Sequence, residues 1–183
     1  MPRDAHEAPP QVVFASSVAV YGSVLSDPVT PATPLHPPLT YGAHKLVGEI
    51  LLADFSRRRQ LDGRSLRLPG IVARPRVASG LASAFMSEML HALKAGEPCT
   101  IPVTPEATAW WMSARCCAFN LWHAASMEVA DSDPARAWPL PVLRLSMLEV
   151  VDTLAALYGA DRRALIRYEP DVRIEAVFGR YPR

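Results

Sequence analysis

A chain of 183 residues, half of them hydrophobic, is long enough to bury a sizeable core as one domain or as a lobe of a larger protein. Its 19 Lys and Arg against 18 Asp and Glu leave a net charge of +1, which excludes the basic footprint of a nucleic-acid or anionic-membrane binder and favours a small-molecule ligand. No apolar stretch approaches the roughly 20 residues that span a bilayer, and MPRDAHEAPPQ is too polar for a signal peptide, so a cytoplasmic protein is expected.

After a tail over residues 1–10, QVVFASS at 11–17 is a short β-branched and aromatic run ending in two serines, the pattern of a strand buried on both faces of a parallel sheet. From Val18 to Thr40 the chain carries Gly22, Pro28, Pro31, Pro34, Pro37 and Pro38, which excludes a long helix and leaves a connector of unusual length. A helix then starts at Thr40 or Tyr41, with Thr40 as N-cap, and its spacing predicts a buried stripe of Val47, Ile50, Leu51 and Phe55. Arg57, Arg58 and Arg59 crowd its carboxyl end, where positive charge suits the dipole. Past a turn at Asp62 and Gly63, Ser65 to Leu68 reads as a second strand stopped by Pro69 and Gly70. Strand, helix and strand in this order predict a right-handed parallel crossover.

The remainder reads as a smaller α/β lobe. Leu81 to Lys94 is amphipathic with Gly96 just beyond it, CTIPV is a short strand, and Ala114 to Met127 is a helix behind Ser113. Ser146 and Glu149 form a capping box for a helix ending at Tyr158 before Gly159. Cys99, Cys116 and Cys117 are an odd set with two sequence neighbours, suiting neither a disulfide framework nor a zinc site; they read as core, and no metal is expected.

Tyr41 and Lys45 are one helical turn apart on one face, so the ammonium reaches the phenol, and a neighbouring positive charge favours the phenolate that a general base requires. Ser17 ends the first strand, and open α/β sheets bind ligands at the carboxyl ends of their strands. Taken alone, a Tyr and a Lys at this spacing are more often an exposed helix pair. His44 reads as a polar spacer, and His91 and His123 as packing or surface residues.

In order along the chain, SSVAVYG, YGAHK and LRLPGIVARP resemble the active-site segments of the extended short-chain dehydrogenase/reductases, which include nucleotide-sugar epimerases and dehydratases. LLADFSRRRQLDGRSLRLP, the AlaSerGly at 78–80, AGEPCTIPV and the set Trp110, Ser113 and Arg115 are similar to the D-erythronate dehydrogenase subgroup. One departure is Thr108 and Ala109 before Trp110, where the subgroup pattern has an Arg-His pair.

The resemblance implies an α/β fold: residues 11–75 as the second half of a Rossmann-type NAD-binding domain and 76–183 mainly as a substrate lobe. It implies Tyr41 as general base, Ser17 holding the reacting hydroxyl, and Lys45 on the nicotinamide ribose. Pro69, Gly70 and Ile71 would flank the nicotinamide of NAD, with Arg74, Trp110, Ser113 and Arg115 toward a sugar acid whose alcohol becomes a 2-oxo group. A homodimer through the Tyr41 helix is the partner it suggests.

None of the nine glycines forms the glycine-rich turn that meets a dinucleotide pyrophosphate, so the chain is expected to correspond to a carboxyl-terminal half and to bind NAD weakly by itself. Two other readings stay open: a nucleotide-sugar epimerase or dehydratase sharing the triad, and a fragment that acts only in structure or interaction.

Overall fold

The computed structural model describes residues 8–22, 28–30, 32–76, 81–129 and 134–182. Pro31 and the AlaSerGly at 78–80 lie outside the described residues, as does most of the amino-terminal tail. Strand β1 (Gln11–Ser17) leads through a 3-10 turn (Val18–Val20) and the proline-rich connector into helix α1 (Thr40–Arg57), then strands β2 (Asp62–Leu68) and β3 (Gly70–Val72). The second part runs α2 (Ala84–Ala95), β4 (Cys99–Ile101), β5 (Thr108–Ser113), α3 (Ala114–Ser126), β6 (Ala137–Pro139), β7 (Leu143–Ser146), α4 (Met147–Tyr158), β8 (Ile166–Tyr168) and α5 (Val172–Phe178).

The fold is α/β with parallel pairing throughout the first sheet. β1 pairs β2 with Ser17 opposite Leu68, and β6 joins the far side of β2, giving the order β1-β2-β6. A second sheet runs β3-β5-β7, parallel and then antiparallel, and β4 pairs β8 in parallel. Among the described residues no helix is long and apolar enough to cross a membrane.

Alternation along β1 and β2 assigns α1 and α3 to opposite faces of the first sheet. Phe14, Ser16, Gly63 and Arg67 meet α1, since a Cβ on Gly48 would strike the Phe14 ring, Glu49 bonds Ser16 and Arg67, and a Cβ on Gly63 would strike Leu52. Val13, Leu66 and Leu68 pack with Cys117, Leu121 and Ala124 of α3. Arg64 donates to the Ala124 carbonyl and pairs with Asp62, which Arg136 also engages beside β6.

Several sequence expectations are corrected here. β1 is only partly buried, because among the described residues it has one strand neighbour and lies at the edge of its sheet. Val47, Ile50, Leu51 and Phe55 are exposed by 52%, 60%, 53% and 38%, whereas the buried residues of α1 are Gly42 and Glu49. The face turned to the sheet carries Lys45, Gly48, Glu49, Leu52 and Ser56, small or hydrogen-bonding residues that suit the polar Ser16 and Arg67 beneath. Leu39 precedes the first turn of α1 in place of Thr40, and no side chain among the described residues caps it. Asp62 and Gly63 belong to β2, and β3 follows at Gly70. Cys117 is buried but Cys116 is exposed, so only one of that pair is core.

The main hydrophobic core lies in the second part, where Met89 and Leu93 of α2 meet Ile101, Trp111, Met147 and Val151. The segment after α5 straps across β5: Thr108 N–H donates to Gly179 O, Tyr181 N–H to Thr108 O, and Trp110 Nε1 to Pro182 O at 2.8 Å. Tyr181 lies against Trp110 with ring centroids 5.0 Å apart. Burial pushes the Tyr181 phenol up to about 12. A phenol that stays protonated in the folded state while the unfolded chain ionises near pH 10 costs no stability below that pH. Its contribution disappears as pH rises from about 10 through 12. Thermal midpoints measured across that range should therefore fall less steeply in Tyr181→Phe than in the wild type; identical slopes would refute this.

Candidate active site

Ser17 is the last residue of β1, and its Oγ accepts the Ala19 N–H at 3.1 Å, capping the 3-10 turn. Val18, Val20 and Tyr21 are buried with Trp110, which anchors this turn on the second sheet. Tyr41 opens α1 and is 55% exposed. Next to it, a Cβ on Gly42 would stand 2.4 Å from Ala19 O and 2.9 Å from Pro37 Cβ. Ala19 therefore binds Ser17 through its amide and sets the approach of α1 through its carbonyl. The serine and the tyrosine are held by one short piece of backbone.

Lys45 follows one turn along α1. Its Nζ lies 5.5 Å from the Tyr41 ring centroid and 5.0 Å from that of Phe14, and donates to Ala15 O at 2.7 Å. Both ring contacts are within cation–π range. Beneath these groups, Arg67 donates from Nε and Nη2 to the Glu49 carboxylate at 2.8 to 3.2 Å, and from Nη1 to Tyr21 Oη at 3.0 Å. Ser16 Oγ donates to Glu49 Oε1 at 2.5 Å. Burial works against the Arg67 charge, but the hydrogen bonds it donates to Glu49 and Tyr21, with their charge, outweigh it and hold the guanidinium above its usual range. Sequence reasoning missed this network. Its signal was Glu49 inside the run from Leu46 to Ala53 and Arg67 between Leu66 and Leu68.

Pro69, Gly70 and Ile71 directly follow Leu68, the register partner of Ser17, so they stand beside the carboxyl end of β1. A Cβ on Gly70 would lie 2.6 Å from Met86 Cε and 2.9 Å from Trp110 O, a backbone approach that leaves no room for a side chain. Arg74 is turned toward α2: its Nη2 donates to Ser83 O and Oγ at 3.3 and 3.4 Å, and His91 Nε2 lies 2.7 Å from its carbonyl. Arg76 pairs with Glu88 and Glu97.

Trp110 and Trp111 face opposite sides of β5, the first packed under the 3-10 turn and the second in the main core with Nε1 donating to Leu145 O. Ser113 pairs with Val72 in the sheet and caps α3 by accepting the Cys116 N–H, and Arg115 lies exposed in the first turn of that helix. Ser17, Tyr41, Lys45 and residues 69–71 thus gather at one end of the first sheet. Arg74, Ser113 and Arg115 lie at the ends of β3 and β5. A cleft of about 420 Å³ lined by Asp54, Arg57, Arg59 and Arg136 lies at the opposite end of α1 and contains none of them.

A cation and a phenol on one helix turn, beside a strand-end serine, would suit the nicotinamide end of a dinucleotide. For the pyrophosphate the fit is poor, because none of the nine glycines falls in a glycine-rich turn between a strand and a helix.

Residues 3–134 match the NAD dependent epimerase/dehydratase family, and the chain belongs to that family. It is 35% identical to a D-erythronate dehydrogenase of Cupriavidus necator over 94% of its own length and 53% of that protein. With a D-erythronate dehydrogenase of Haemophilus influenzae the identity is 30%, over 93% of this chain and 54% of the relative. Among solved structures it is similar to a nucleoside-diphosphate-sugar epimerase from Agrobacterium tumefaciens, with a TM-score of 0.87 and 34% identity over 95% of this chain and 52% of that one. The chain spans about half the length of the curated relatives it matches.

Proposed function

We propose that this chain carries the catalytic groups of an NAD-dependent dehydrogenase that oxidises a secondary alcohol of a sugar acid, of the D-erythronate type, to its 2-oxo acid. In this reading residues 11–75 belong to the cofactor-binding domain and 76–183 mainly to the substrate lobe. The observation that carries it is the shared support of Ser17 and Tyr41 on Ala19, with Lys45 one turn along α1. Two D-erythronate dehydrogenases among the relatives support the substrate class.

Ser17 Oγ orients the substrate hydroxyl by hydrogen bonding, and Tyr41, open to solvent, takes the hydroxyl proton. The Lys45 ammonium stands 5.5 Å from the centre of the Tyr41 ring, on the same side of α1. When bound, the nicotinamide supplies hydride acceptance from the carbinol carbon. Pro69, Gly70 and Ile71 would wall the nicotinamide, and Lys45 would also hold its ribose. Arg115, exposed and able to form a two-pronged contact, is the preferred partner for the substrate carboxylate, with Arg74, Trp110 and Ser113 as the remaining substrate residues. The exposed Val47, Ile50 and Leu51 support a homodimer through α1.

A nucleotide-sugar epimerase is the second reading, favoured by the Agrobacterium structure. The complete translated polypeptide that contains this chain, given NAD and a panel of aldonates and UDP-sugars, separates the two. Net NADH formation with an aldonate is the expected result. Interconversion of UDP-sugars without net NADH would overturn it.

A further inference from the structure

We propose that the buried Glu49–Arg67 pair is a positioning device that fixes the height of α1 against the end of β1, and so sets Tyr41 against Ser17. Its catalytic role rests on the dehydrogenase reading above. Ser16, Tyr21, Glu49 and Arg67 are exposed by only 2%, 2%, 4% and 7% and bond one another, so the four groups act through other residues.

They come from four segments that carry the site. Ser16 immediately precedes Ser17, Tyr21 closes the 3-10 turn, Glu49 lies one turn beyond Lys45, and Arg67 stands on β2 opposite Ser16. Both Glu49 oxygens accept from Arg67, and Oε1 also accepts from Ser16; the remaining arm of the guanidinium reaches Tyr21. The Arg67 Cζ also lies 5.0 Å from the centre of the Tyr21 ring.

A buried ion pair adds little stability over apolar side chains of equal volume, but breaking it by removing one partner is costly. What it supplies here is direction. A planar fork on a planar carboxylate has one good arrangement, whereas apolar packing tolerates sliding. Elsewhere the face of α1 turned to the sheet is closely approached at Gly42 and Gly48 and held by single bonds, Lys45 Nζ to Ala15 O and Gly63 N–H to Ser56 Oγ, so the two-pronged contact at its centre is the one with a fixed orientation. One residue of slip along a helix is about 1.5 Å. A misplacement of about 1 Å can cost about 100-fold in rate.

The test compares the wild type with Glu49→Gln, Arg67→Lys and the double variant Glu49→Leu/Arg67→Met, all in the complete translated polypeptide. The double variant, which strands the buried Ser16 and Tyr21 hydroxyls, is expected to fold with a lowered thermal midpoint and to keep KM while kcat falls by up to about 100-fold. Arg67→Lys, which keeps the charge and loses the fork, should recover stability more fully than kcat. A readout independent of turnover is hydrogen exchange at the Ala19 amide, bonded to Ser17 Oγ; it should quicken by about tenfold while amides of α4 stay unchanged.

Should the double variant fail to fold, Glu49→Gln carries the same comparison. Unchanged exchange at Ala19 in any folded variant overturns the proposal, as does full kcat in the double variant. A wild type inactive on every aldonate defeats the dehydrogenase reading instead, and exchange at Ala19 still decides the positioning role.

Discussion

Replacing Tyr41 by Phe is expected to lower kcat on an aldonate by about 10²–10⁴-fold, the range over which a positioned general base contributes. Stability should change by no more than about 0.5 kcal/mol, because the side chain is half exposed and Phe keeps the ring beside Lys45. NADH formation and thermal unfolding, measured on the same preparation, check the two halves of this statement. A Tyr41→Phe enzyme retaining half of the wild-type rate would remove Tyr41 as the base. Loss of rate together with loss of fold would show that the ring holds the start of α1.

The second large effect is expected at Gly42. A methyl group there would stand 2.4 Å from Ala19 O and 3.0 Å from Ala19 C, both backbone atoms that cannot turn aside. Gly42→Ala must therefore push α1 away from the 3-10 turn, with an overpacking cost of about 1–3 kcal/mol. Tyr41 moves with the helix while Ser17 stays with β1. A loss of about 100-fold in kcat is expected from a displacement on the order of 1 Å. Gly48→Ala is the control: its methyl would meet the Phe14 ring at 2.6 Å, a side chain that can rotate, two turns further from Tyr41's end of the helix. Stability should suffer in both variants, and kcat mainly in Gly42→Ala. Equal kcat in the two would show that close approach at Gly42 does not set the site.

Elements with strong local punctuation were legible in the sequence. β1 spans the QVVFASS run as expected, the capping box at Ser146 and Glu149 opens α4, Ser113 caps α3, and Gly96 ends α2 with φ of 77°. β4, β6 and β8 have three residues each, too few to display alternation, and only β4 was foreseen; it is held by pairing of Cys99 with Ile166 far along the chain. β5 was hidden because TAWWMS feeds hydrophobic clusters on both faces and so shows no polar side.

Tyr41, Lys45 and Ser17 could be nominated from order and spacing, because helix periodicity fixes which side chains share a face. Burial of that helix could not be read the same way. Periodicity finds the stripe that would gain from cover, Val47 to Phe55, but the sheet beneath α1 presents Ser16 and Arg67, so the charged Glu49 turns inward. A Glu in a helix is by default read as solvated, and only its distant partner on β2 reverses that.

The strap from Gly179 to Pro182 has a consequence for the order in which the chain can assemble. Residues 11–68 contain β1, α1 and β2 in sequence, and their mutual contacts need nothing made later. β4 meets its strand partner only when β8 exists, and Trp110 finds its acceptor only at Pro182. During synthesis the segment bearing Ser17, Tyr41 and Lys45 can close early, through short-range contacts. The second lobe waits on residues 166–182.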